Sequence, residues 1–396
     1  MDLVTTLQQA RAFLNQKYYE LEDFIDCLLL SLISRSHMIA LGQPGIAKTA
    51  VLRELVSMMD FSGVSGTPYF HIQMGADISP NNIFGAPDIE YFKTHGIIKR
   101  HVEGFLPDAI IAFCSEFYRV SDQVANSGLL TILNEGEYKN GTDLIRTPLR
   151  FFMADTNFFP KQMDELDAED EDLRLQALHD RFLARVLVRP LQDPDNQVKM
   201  FLMDDDQRFE HRINVRDLIT LQDDLASITI PIEIAYHVIQ LADRLRDKHR
   251  IFLSPRRVKL SRGLLRASAW LDQRDTVSLA DLRALRFSFW QREDDILKVA
   301  DAIDAQLNKP ALDAKIFRQM HQSVLEDMKR TRDNQSHLPG FEESALIKQA
   351  QKDILRIMEH IQSNYPAYQT YSEIDQVYRE LQADYQKFFD QEVADE

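Results

Sequence analysis

The chain has 396 residues, with 46 Lys and Arg against 62 Asp and Glu, and a formal charge of −16. That length predicts roughly two to four folding units, and a hydrophobic content of 44% with 27% charged residues excludes wholesale disorder. The excess of acid argues against a general nucleic-acid binder, which needs a positive field along its contact surface. Cys27 and Cys114 are too few for a disulfide framework, and Cys114 lies in an apolar run, so a buried thiol and a reducing, cytoplasmic setting are expected. No segment reaches the roughly 18 apolar residues of a membrane span. The best candidate, Phe24–Ile33, is short and contains Asp26. Met1-Asp2-Leu3 lacks the basic-then-apolar layout of a signal peptide, which predicts a soluble intracellular protein.

Residues 1–36 read as helix, with Leu7, Ala10, Phe13 and Leu14 at helical spacing. A short apolar run, His37–Leu41, then stops at Gly42-Gln43-Pro44-Gly45, and a helical stretch runs from Lys48 to about Met59. Strand, tight turn and helix open a βα unit. Further apolar runs at Tyr69–Gln73, Ala109–Cys114 and Leu149–Ala154 alternate with helical segments, of which Gln123–Leu133 is the clearest. This alternation predicts a parallel sheet between helices. One stretch departs from it. Asp88–Lys93 and Ile97–His101 flank Thr94-His95-Gly96 and read as a protruding β-hairpin.

After Arg189-Pro190 the strand pattern disappears. Asp193–Met203, Val215–Leu225, Ile232–Asp247, Pro255–Trp270 and Leu279–Gln291 predict an all-α domain. From Asp294 the chain is helical and charge-rich, with breaks at Asn308-Lys309-Pro310, His337–Gly340 and Asn364-Tyr365-Pro366. Ile374, Val377, Leu381, Tyr385 and Phe388 give the tail a heptad-like apolar spacing. The expected division is 1–190, 191–292 and 293–396. The basic cluster from Arg244 to Arg262, interrupted by Asp247, reads as a charged surface of the helical domain.

Gly42-Gln43-Pro44-Gly45-Ile46-Ala47-Lys48-Thr49 nearly fits G-x-x-x-x-G-K-[ST]. A turn of this kind bends backbone N–H groups around a phosphate, and the following helix adds its dipole. Lys48 is expected to reach the β- and γ-phosphates of ATP, and the Thr49 hydroxyl to ligate Mg²⁺. Ala50 completes the candidate nucleotide-binding run. Ala47 stands where the last glycine is usual and is expected to fit a helix-start geometry.

The run Gly-Gln-Pro-Gly-Ile-Ala-Lys-Thr resembles the P-loop of the MoxR branch of AAA+ ATPases, the RavA-like group in particular. The likeness extends to Phe84-Gly85-Ala86-Pro87, Gly104–Ala109, Leu129–Glu135, Leu178–Phe182 and Ser254-Pro255-Arg256, and covers roughly residues 1–290. It implies an α/β AAA+ core, a parallel sheet between helices of the P-loop NTPase type, followed by an all-α lid and a helical C-terminal region. It further implies an ATP- and Mg²⁺-dependent hydrolase acting as a homo-oligomer, expected as a hexamer. Such a ring remodels a protein client with a von Willebrand factor A-domain partner, and the insertion after residue 84 is its moving tool.

Carried over residue by residue, the resemblance makes Glu116 the group that polarises the attacking water and Asn157 the amide that orients it. Arg181 becomes an arginine finger for a neighbouring subunit, with Arg185 as the competing candidate, and Arg256 the lid arginine. The sequence departs from the family at Ser115, where an Asp ordinarily holds Mg²⁺ through a water, and at Asn134-Glu135-Gly136, which lacks a following Arg. With a hydroxyl in place of a charge, Ser115 predicts weak Mg²⁺ binding and slow hydrolysis. Asp155 is near enough in sequence to compensate, but reads first as a solvated strand-end carboxylate. A second reading is a scaffold whose ATP-bound ring recruits a partner through its helical tail. His37, His71, His95, His101 and His179 show no metal-ligand spacing.

Overall fold

The computed structural model describes residues 2–75, 77–157, 178–203, 207–307, 309–335 and 343–395. The acidic stretch of the sequence from Asp164 to Asp172, expected as a loop, and the break expected at His337–Gly340 lie outside them. The described chain forms two compact units, 1–303 and 304–396.

The first unit is built on the apolar runs. The strands β1 (Met38–Leu41), β3 (Thr67–Gln73), β4 (Ala109–Ser115), β7 (Phe151–Thr156) and β8 (Ala184–Leu187) form a parallel sheet in the order β3-β4-β7-β1-β8. Every residue of β1 and β7 is buried, as is β4 up to Cys114. Strands covered on both faces need continuous apolar runs, which is why these were visible in the sequence. β8 was not. Ala184–Leu187, which carries Arg185, pairs with β1 and closes one edge of the sheet. The helix α2 (Glu22–Ile33), apolar along most of its length, packs on β1 and β8, and Arg11 of α1 (Leu3–Lys17) grips Asp26 of α2 with two bonds of 2.7 Å.

The expected hairpin over 88–101 is a helix instead. Asp88 caps α5 (Ile89–His95) by accepting from the Tyr91 N–H, and Gly96 ends it in the left-handed conformation with φ 66°. Capping at both ends outweighs the apolar alternation. The helix has no buried residue, and only its flanks pair, through an antiparallel bridge between Pro87 and Arg100. The hairpin of this region lies at β5 (Glu137–Asn140) and β6 (Asp143–Arg146), joined through Gly141. With Asn140 paired to Asp143, the two loop residues are Gly141-Thr142, and a glycine at the first loop position suits a tight reverse turn. The helix expected over Gln123–Leu133 is also interrupted. Gly128 has φ 138°, and a Cβ there would lie 2.8 Å from the Tyr138 ring.

Strand structure does not end at Pro190, because β9 (Ile213–Asn214) pairs in parallel with β2 (Met59–Asp60). After residue 190 this unit is otherwise helical, with α7 (Pro194–Leu202), α8 (Val215–Asp224), α9 (Ile232–His249), α10 (Pro255–Leu260), α11 (Arg262–Leu271), a 3₁₀ stretch, Leu279–Phe287, and α12 (Glu293–Leu307) among its elements. The predicted segment Pro255–Trp270 is thus two helices. In the second unit, α13 (Lys309–Gln335), α14 (Glu343–Asn364) and α15 (Ser372–Asp395) pack together around Ile347, Ile354, Ile361, Ile374, Val377 and Leu381. The heptad-like spacing of the tail is this seam. No helix of the described residues is long and apolar enough to cross a membrane.

A buried polar node joins sheet and lid. Arg185, fully buried on β8, donates to the carbonyls of Phe182, His179 and Trp290 at 3.1–3.3 Å and to Asp180 at 3.2 Å. Arg257 of α10 donates to the carbonyls of Phe182, Leu183 and Ser288 at 3.0–3.1 Å. His179 lies among them, its Nδ1 hydrogen-bonded with the Tyr118 hydroxyl. Burial, then the nearby Arg185 and Arg257 charges, holds the His179 pKa well below its ordinary value. The folded state therefore keeps His179 neutral while the unfolded chain takes up a proton below about pH 6.5. Stability is full above that pH and falls as the pH drops through it, by up to about 1.4 kcal/mol per unit for one proton. Urea unfolding at pH 7.5, 6.5 and 5.5 should show this slope, and His179→Gln should flatten it by about one proton's worth.

Candidate nucleotide-binding site

Between β1 and α3 (Lys48–Ser57) the chain makes the glycine turn read from the sequence. Gly42 (φ 153°) passes so close to β8 that a Cβ would sit 2.3 Å from the Val188 carbonyl oxygen, and Gly45 adopts φ 82°. Ala47 does not take a helix-start conformation. It is left-handed, with φ 61° and ψ 9°, and precedes the first turn of α3. An L-residue pays about 1–2 kcal/mol for this conformation, which explains why glycine is usual there. The free N–H groups and positive dipole end of α3 accompany Lys48, Thr49 and Ala50 into one pocket.

Lys48 is buried. Its Nζ donates to the Gly42 carbonyl and, at 3.1 Å, to that of Gln43, and stands 3.9 Å from Asp155 Oδ2. Burial lowers its pKa, and the carboxylates of Asp155 and Glu116 pull it back up.

The strand ends supply the opposite wall. Ser115 closes β4, and Glu116 follows it in a left-handed conformation, φ 55°. The Glu116 N–H donates to Asp155 Oδ1 at 3.0 Å. Glu116 Oε2 is buried without a hydrogen bond and faces Arg119 Nε at 3.5 Å. Asp155 is not the solvated strand-end residue expected: it is 8% exposed, because β7 lies between β4 and β1. Burial raises its pKa, offset by the Glu116 N–H and Lys48. Asn157 follows β7 and is exposed at the rim.

Residues 44–50, Ser115, Glu116, Asp155 and Asn157 line a single pocket of about 410 Å³, together with Gln73 from the end of β3. No motif announced Gln73, which sits on a half-exposed edge strand. Among the described residues Arg181 and Arg256 do not line the pocket. Arg181 is half-buried on the turn before β8, and Arg256 is exposed on α10 with Nη2 3.3 Å from Asn134 Oδ1. Arg185, the competing finger candidate, is excluded from that role by complete burial in the sheet. The hydroxyls of Thr49 and Ser115 and the Asp155 carboxylate form a hard-oxygen set, which fits Mg²⁺ rather than a thiolate-seeking metal.

A parallel sheet, a glycine turn leading into a helix N-terminus, a buried lysine and strand-end acids define a P-loop nucleotide-binding fold of the α/β AAA+ type. The model for the MoxR domain of MoxR–vWA–β-propeller ternary systems matches residues 5–228, and that for an AAA lid domain matches residues 233–303. The chain belongs to the MoxR family of AAA+ ATPases. It is 30% identical over 310 residues to an uncharacterised protein of Methanocaldococcus jannaschii, covering 78% of this chain and 77% of that one. A second uncharacterised protein of the same organism is 27% identical over 336 residues, 85% of each chain. The crystal structure of a candidate ATPase from Cytophaga hutchinsonii superposes with a TM-score of 0.57 at 17% identity, over 78% of this chain and 94% of that one, a likeness of fold.

The left-handed Ala47 generates a direct test. Ala47→Gly should raise stability by about 1 kcal/mol, because glycine adopts this conformation without steric cost. Chemical denaturation of the two proteins compares them.

Proposed function

We propose that the chain binds ATP with Mg²⁺ in this pocket and hydrolyses it as a homo-oligomeric ring, a hexamer. The observation that carries the reading is the meeting of Lys48 and Thr49 with Glu116 and Asn157 around one cavity. Lys48 would exchange the carbonyls of Gly42 and Gln43 for phosphate oxygens, while Gly45–Ala50 present backbone N–H groups to them. Thr49 and Ser115 would hold Mg²⁺, which when bound neutralises phosphate charge. Glu116 would polarise the attacking water and Asn157 would orient it. Arg181 lies outside its own pocket, consistent with a finger supplied to a neighbouring subunit, and Arg256 would approach from the lid.

The domain division that goes with this reading is a nucleotide-binding domain at 1–190, a lid at 191–292 and a helical extension at 293–396. The finer kinship with the RavA-like group belongs to the same reading. Work on a protein client, with a von Willebrand factor A-domain partner, is supported by the ternary systems for which the matched family is described. The exposed helix α5 is the natural contact element of the insertion, with Ile89 and Phe92 open to solvent. A charge of −16 favours protein over nucleic-acid partners, and a cytoplasmic setting fits the buried free thiols of Cys27 and Cys114. Ser115 favours a second reading, an ATP-binding scaffold that turns over slowly.

Phosphate release by the purified protein separates the two readings. Lys48→Ala should abolish nucleotide binding while the fold persists; unchanged affinity by calorimetry would reject the phosphate-site assignment. Turnover per subunit should rise with protein concentration and drop by about 10³-fold or more in Arg181→Ala, the scale of arginine-finger effects. A concentration-independent rate indifferent to that change would remove Arg181 from the reaction.

A further inference from the structure

The pocket carries its negative charge in an unexpected place. Among the described residues lining it, Glu116 and Asp155 are the only anionic side chains. Glu116 is turned by its left-handed backbone toward Arg119, 3.5 Å away. Asp155 is held differently. The parallel register sets Cys114 beside Ala154, and so Ser115 beside Asp155, while Ala40 of β1 flanks Asp155 on the other side. The carboxylate therefore sits between the strand that ends in Ser115 and the strand that leads into the phosphate turn.

Its two oxygens have different duties. Oδ1 accepts the Glu116 N–H at 3.0 Å, which fixes the rotamer. Oδ2 accepts no hydrogen bond among the described residues, and Lys48 is 3.9 Å from it. Lys48 spends its hydrogen bonds on the carbonyls of Gly42 and Gln43 rather than on this carboxylate. Asp155 is thus more than the counter-ion of Lys48: its buried, oriented carboxylate lines the same pocket as Ser115 and Thr49. A Mg²⁺ ion held with nucleotide phosphates ordinarily takes one or two protein carboxylates.

We propose that Asp155 supplies the metal-side carboxylate that β4 lacks at Ser115, so that the charge of the site has been transposed one strand over, from β4 to β7. This deepens the nucleotide-site reading and rests on it. The neutral Ser115 then does not make the site degenerate. Ser115→Asp alone would crowd a second carboxylate against Asp155 and bring no gain in metal affinity.

The test is binding of a fluorescent ADP analogue to the full chain, in EDTA and across a MgCl₂ titration. Wild type, Asp155→Asn and the double variant Asp155→Asn/Ser115→Asp are compared. Asparagine keeps an acceptor for the Glu116 N–H, so the local fold is retained. In Asp155→Asn the Mg²⁺ concentration for half-maximal effect should rise by about 10-fold or more, the usual scale for losing a group that supports a metal. Affinity in EDTA should not fall, and the double variant should recover much of the Mg²⁺ response because it restores a carboxylate on the adjacent strand. A wild-type Mg²⁺ requirement in Asp155→Asn overturns the inference. So does a raised requirement that Ser115→Asp does not relieve, which would leave Asp155 as a purely structural partner of Glu116. If wild type binds no nucleotide in either condition, it is the nucleotide-site reading itself that fails.

Discussion

The site depends on three parallel strands ending at one level. β4, β7 and β1 are registered so that Cys114, Ala154 and Ile39 lie side by side, and the next residues of β4 and β7, Ser115 and Asp155, reach the same rim as the turn that follows β1. Parallel pairing lets each strand leave the sheet in the same direction, so chain segments far apart in sequence deliver their polar ends to one edge. The phosphate turn, Glu116, Asp155 and Asn157 are neighbours for this reason alone. A one-residue slip of β7 would turn Asp155 toward the opposite face and dismantle the rim.

That rim is held in conformations that local preference disfavours. Ala47 and Glu116 are both left-handed, at φ 61° and 55°. Each costs about 1–2 kcal/mol and persists only where packing overrides it. The packing is visible: the Glu116 N–H is captured by Asp155, and the Gly42 N–H is captured by the Thr156 carbonyl at 3.0 Å. Rigid strands thus support a strained turn on each side of the pocket.

The arginine node connects this rim to the lid. Tyr118, two residues beyond Glu116, hydrogen-bonds with His179, and the same turn binds Arg185 of the sheet and Arg257 of α10. Two buried guanidiniums make six hydrogen bonds to five backbone carbonyls, that of Phe182 being common to both, with Asp180 as their acidic neighbour. Removing either would strand several buried acceptors. Arg256, one residue away, is exposed and donates to Asn134 Oδ1, so adjacent arginines on one short helix have different roles: one holds the lid to the core from within, and the other lies at the surface.

Much of this was legible in the sequence. The apolar runs of β1, β4 and β7, the glycine turn with Lys48 and Thr49, and the seam of α15 are local patterns whose physics requires only neighbouring residues. Other features were decided by tertiary structure. β8 is four residues long and carries an arginine, so nothing in its composition announced the edge strand beside β1; burial became tolerable only because three carbonyls and Asp180 receive that arginine. The helix α5 was settled by caps at Asp88 and Gly96, which compete with an alternating pattern that the chain does not use. Asp155 is the sharpest case. From sequence alone it is an acid at a strand end, where water is the default partner. Its burial, its bond to Glu116 and its place beside Ser115 follow from a strand order in which β7 runs between β4 and β1. Strand order is a non-local property: it is set by which apolar faces the folded chain covers, and no short stretch of sequence carries it.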